Sequence, residues 1–150
     1  MMVLAIRPDS WNFPLFLHVL GAMVLVGGLV TAAAAALIGW SDEAAGLRRF
    51  SYRTLLIVAF PGWIVMFAGA LWSESKEKLE NADLAWLGIG HIAAEGGGLL
   101  LIIALILGGI GQRKSRGDDV NGLVKASSII ATFLVAVYVV AIWAMGAKPT

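Results

Sequence analysis

His18 and His91 are the only histidines in this 150-residue chain, and Glu95 follows His91 by four positions. Residues four apart share a helix face one turn apart, so His91 and Glu95 can act together. Three kinds of chemistry are open to this set. Two imidazoles on opposite faces of a porphyrin are usual axial donors to a haem b iron. His18 and His91 would then be the ligands, with Gly21, Ala22 and Gly98 making room for the ring. Tyr138 could donate to a haem propionate or to Glu95. Alternatively, His18, His91 and Glu95 could bind a transition metal directly, since two histidines and a carboxylate form a ligand set for zinc or iron. Finally, Glu95 and a histidine could be a structural pair that pins the third helix to the first. The sequence has no cysteine, which excludes disulfides, thiolate metal sites and thiol catalysis. No catalytic residue is assigned.

The elements that position these groups follow from composition. Hydrophobic residues make up 59% of the chain and charged residues only 14%, unlike a water-soluble domain. The apolar stretches run over about 11–40, 54–72, 84–110 and 122–146, each near or above the roughly 20 residues that cross a bilayer core. The expected fold is all-α, a single domain over 1–150 formed by a four-helix transmembrane bundle. A formal charge of +1 argues against a nucleic-acid partner, and the lipid bilayer is the expected surroundings. The first segment is too long for a signal peptide, and only Arg7 precedes it, so it reads as a retained helix.

Charge sets the expected orientation. Arg48, Arg49 and Arg53 flank the first loop, and Arg113, Lys114, Arg116 and Lys125 flank the third. The second loop carries Glu74, Glu77, Glu80 and Asp83 against Lys76 and Lys78. By the positive-inside rule, the first and third loops are cytoplasmic, with both termini and the acidic loop outside. Trp11, Trp72, Trp86 and Trp143 then form an outer interfacial belt, Trp40 sits at an inner end, and Trp63 lies deep in helix two. The expected location is a bacterial cytoplasmic (inner) membrane. In this frame His18 lies about 10 Å inward of Trp11, and His91 about 7–8 Å inward of Trp86. The two imidazoles therefore reach similar depth.

Other features shape the helices. Gly21, Gly27, Gly28 and the alanines from 32 to 36 make helix one thin, and Gly96-Gly97-Gly98 does the same for helix three. Such surfaces admit either a neighbouring helix or a flat cofactor. Pro61-Gly62 interrupts the hydrogen bonding of helix two and predicts a kink. Ser127, Ser128 and Thr132 are expected to bond back to their own helix or to a neighbour. Asp118-Asp119 and Asn121-Gly122 read as the turn that opens helix four.

The segment Phe16-Leu17-His18-Val19-Leu20-Gly21-Ala22, continuing to Gly27-Gly28, resembles the opening helix of small bacterial four-helix membrane proteins. These are similar to copper-resistance D-type membrane domains and to haem-binding J-type protoporphyrinogen oxidases. The resemblance implies a haem ligand at His18. The third helix of the J-type enzymes is expected to carry a lysine used in activity; here His91 and Glu95 stand in that helix instead, which leaves haem binding but not porphyrin oxidation. The leading expectation is a small b-type cytochrome that transfers electrons or senses redox state with a redox partner. One alternative is a non-enzymatic accessory or scaffold subunit, with Glu95 and the glycines serving packing or docking. The other is a transition-metal or proton-coupled transporter using Glu95 and the Pro61 break, acting as a homo-oligomer.

Overall fold

In the computed structural model, described over residues 12–40, 44–77, 85–115 and 121–147, the regular structure is helical throughout. Expectations placed on Arg7, Trp11, Lys78, Glu80, Asp83, Arg116, Asp118 and Asp119 lie outside these residues, as does the side chain of Trp86. The elements are α1 (Asn12–Ile38), α2 (Ala45–Thr54), α3 (Phe60–Glu77), α4 (Ala85–Lys114) and α5 (Gly122–Ala147). A π-helical turn over Leu55–Ala59 joins α2 to α3, so they form one continuous span. Among the described residues, four helices are thus long and apolar enough to cross a membrane.

The second span begins well before the expected position 54. Its first residues carry the arginines that the sequence assigned to a loop, yet Arg48 is buried and donates from Nη1 to the Gly39 carbonyl (3.0 Å). Ser51 donates to the Ala32 carbonyl of α1 (2.8 Å). These polar groups find partners on α1 and in the turn that directly follows it, which lets the helix start early. The expected break at Pro61 takes the form of the π turn. Proline has no N–H to give the carbonyl four residues back, and its ring crowds that carbonyl. The wider turn, in which Phe60 N–H reaches Leu55 O, absorbs the mismatch without ending the helix.

α1 packs chiefly against α3, and α4 chiefly against α5, giving two antiparallel hairpins. α1 also lies beside α5, while α3 meets α4 over a smaller area. α1 and α4 therefore stand across the diagonal of the bundle. The first hairpin closes through glycines set seven apart on each helix. A Cβ on Gly21 would strike the backbone of Met66, one on Gly69 the backbone of His18, and one on Gly62 would lie 2.6 Å from Leu25 N. Backbone-to-backbone contact of this kind maximises dispersion where lipid supplies no hydrophobic drive. The core between the hairpins is filled by Leu25, Leu29, Leu55, Leu101 and Leu134, each essentially inaccessible.

Polar residues of α5 behave as their types predict. Ser127 donates across to the Ala104 carbonyl of α4 (2.7 Å). Ser128 and Thr132 return to their own helix, at Val124 O and Ser128 O (2.9 Å each). Asn121 caps α5, its Oδ1 accepting from Leu123 N–H (3.0 Å). At the bundle end where α4 begins, Trp72 and Trp143 are exposed, and Phe13 meets Trp72 edge-on at 5.8 Å.

Candidate functional site

His18 sits on α1 where Gly69 allows α3 to approach. Its Nδ1 donates to the Met66 carbonyl at 3.1 Å. His91, on α4, turns to α3 as well, but its Nε2 lies 3.0 Å from Glu74 Oε2. Met66 and Glu74 are eight residues apart in sequence, about 12 Å along the helix. The two imidazoles thus address the second span at different levels, each from its own side.

Glu74 is the residue the sequence reading missed, having placed it in the acidic loop. α3 instead continues to Glu77. The available signal was local: no glycine or proline stands between Trp72 and Glu77, so nothing there stops the helix. The Glu74 side chain is 14% exposed against 42% for His91, so the pair lies at the edge of the bundle with the acid inward. The pinning pair expected between Glu95 and α1 is therefore replaced by His91 and Glu74, which tie α4 to α3.

The glycines of α4 seat aromatic side chains. A Cβ on Gly98 would overlap the Trp63 indole, and one on Gly97 would lie 2.6 Å from the Tyr138 hydroxyl. Trp63 Nε1 donates to the Ala94 carbonyl at 2.8 Å. Its ring stacks between Phe60 and Phe67, with centroids at 6.1 and 5.5 Å. Residues 94 to 98 are thereby clasped between Trp63 of α3 and Tyr138 of α5. Tyr138 is buried, and its hydroxyl has no hydrogen-bond partner among the described residues, so it donates neither to Glu95 nor to another described group. Ala22 packs against the apolar core, and the space beside Gly21 is occupied by the Met66 backbone.

Glu95 points the other way. It is exposed on the outer surface of α4, between Ile92 and Leu99, which are 76% and 61% exposed. The buried face of α4 is formed by Ala93, Ala94, Gly97, Gly98, Leu101 and Ala104, nearly opposite. Among the described residues, no three His, Asp or Glu side chains gather as metal ligands. The set His18, His91 and Glu95 is accordingly dispersed. A haem held by both histidines would need their Nε2 atoms facing one iron from opposite sides. Here His91 commits Nε2 to Glu74, the helices that carry the histidines are diagonal, and Trp63 with the leucine core fills the middle. The residues do not fit that group in this arrangement.

Compared with known proteins, the chain matches no family model, no curated protein and no solved structure.

Proposed function

We propose that this protein is a non-enzymatic membrane assembly subunit, a glycine-packed four-helix body that presents the outer face of α4 to another membrane-embedded helix. The observation that carries this reading is Glu95. Lying eight residues inside the start of the Leu87–Lys114 span, it sits about 12 Å along the helix by the rise per residue. An acidic side chain facing hydrocarbon costs about 3 kcal/mol near the centre of a span. Other polar groups on the outer surface avoid such a cost: Thr31 and Thr132 return their hydroxyls to Gly27 O and Ser128 O of their own helices. Glu95 makes no such bond among the described residues, and the interior packs without it. A docked helix that offers a hydrogen-bond partner supplies what the isolated bundle lacks.

The native mass tests this. Extracted from its own membrane in mild detergent, the wild-type protein is expected to run as an assembly larger than a lone chain, and Glu95→Leu as a lone chain. A wild-type protein that already runs alone would overturn the docking reading.

The haem expectation has its own check, a reduced-minus-oxidised visible spectrum beside His18→Ala and His91→Ala. With His91 turned to Glu74, no haem band that requires both histidines is expected. Sharp b-type bands lost in both variants would replace the docking reading with electron transfer.

A further inference from the structure

We propose that the occupant of the α4 face is a second copy of this chain, joined through a parallel pair of α4 helices with Glu95 against the partner's Glu95. This rests on the docking reading above and adds the identity of the partner. The residues Gly88, Ile92, Glu95, Leu99, Ile102 and Ile106 follow one another at spacings of four and three, and all six are exposed. That alternation fits the seam of a left-handed helix pair, in which each layer meets its own counterpart when two helices run parallel. Exposed stripes of α1 (from Phe16 to Val30) and α5 (from Ile129 to Trp143) share the spacing, and it is Glu95 that sets the α4 stripe apart from them. Two copies inserted with the same topology are related by a two-fold axis along the membrane normal, so an interface between their α4 helices is parallel and self-matching.

The chemistry of the polar layer selects the same occupant. A carboxylic acid carries an O–H donor beside its acceptor oxygens, and a carboxylate accepts. Two carboxyl groups sharing a proton therefore satisfy one another, with no third residue required. A helix of different sequence would have to bring its own donor to this one depth; a second copy brings it by symmetry. The backbone beside the layer is open for approach. A Cβ placed on Gly88 or Gly96 would meet nothing within 4 Å in the single chain. Gly96 directly follows Glu95, at a position that flanks the seam, and it adds no side chain there.

The sequence has no cysteine, so single introduced cysteines report proximity cleanly. Ile92→Cys and Leu99→Cys on the seam, and Ile129→Cys on exposed α5, alter only lipid-facing side chains. Each would be purified, reconstituted at low density in phosphatidylcholine vesicles and oxidised. Disulfide-linked dimer is expected from the two seam positions and not from Ile129→Cys. In the Leu99→Cys background, Glu95→Gln, whose amide both donates and accepts, is expected to keep the dimer. Glu95→Leu is expected to weaken it about tenfold, the equivalent of one interhelical hydrogen bond. Seam cross-linking no greater than at Ile129→Cys, or undiminished in Glu95→Leu, would overturn the second-copy proposal. If such a result accompanied a large, Glu95-dependent assembly in the native membrane, docking would stand with a different partner. A lone chain in both preparations would remove docking as well.

Discussion

Gly21→Ala is expected to unseat the first hairpin, the largest effect of any glycine-to-alanine change among the described residues. The added methyl would meet the backbone nitrogen and Cα of Met66 and the carbonyl carbon of Val65. None of these can rotate away as a side-chain tip can, so α1 and α3 must separate. Separation would loosen Gly28, Gly62 and Gly69, which rest on the opposing backbone along the same line, and would stretch the bond from His18 to Met66 O. The expected cost is at the upper end of the about 1–3 kcal/mol of overpacking. Gly27→Ala is the matched control, because nothing lies within 4 Å of a Cβ there. Helicity followed across a titration from mild detergent into dodecyl sulfate should show Gly21→Ala unfolding early and Gly27→Ala unfolding with wild type. Coincident curves for the two variants would mean that the backbones do not touch at Gly21.

Trp63→Ala is expected to part the two hairpins at a cost of about 3–5 kcal/mol. Three contributions are lost together: the hydrogen bond to Ala94 O, the stack with Phe60 and Phe67, and the filling of the notch at Gly98. The carbonyl of Ala94 keeps its helical bond, so the main loss is packed volume. That origin has a signature. Gly98→Leu alone would force a side chain into the indole and destabilise, whereas in Trp63→Ala it would enter the vacated notch. The double variant is therefore expected to be more stable than the sum of the single changes by at least about 1 kcal/mol in the same unfolding assay. Simple additivity would show that Trp63 and Gly98 do not share a contact.

The number of spans was legible in the sequence because each needs only an uninterrupted apolar run, and every expected run contains an observed helix core. The start of the second span was not. Arg48, Arg49 and Arg53 look like loop residues until Arg48 is seen against Gly39 O and Ser51 against Ala32 O. These partners lie 9 and 19 positions away, and no local pattern records them. Which way each helix faces was the larger gap. α4 has apolar residues on every side, so no periodicity separates its inner face from its outer one, and Glu95 was grouped with the histidines because it stands one turn from His91. The glycine run 96–98 was visible as a notch, but what fills it depends on Trp63 and Tyr138, 33 or more positions distant. Trp63 had shown itself only as the tryptophan that did not fit an interfacial belt.

Each hairpin is stitched by neighbours along the chain, α1 with α3 and α4 with α5. For a chain threaded into a membrane as it is synthesised, this fixes an order of events. The glycine contacts of the first pair are all in place once Gly69 has emerged, long before Tyr138 is translated. The second pair is then added to a template already formed, with Trp63 of the earlier half closing on Ala94 of the later one. Contacts made between successive segments close short loops and form early. The nascent protein is thus spared a long wait with unpaired spans: the helix that carries Glu95 meets Trp63 on entry, and α5, its chief partner, follows directly behind.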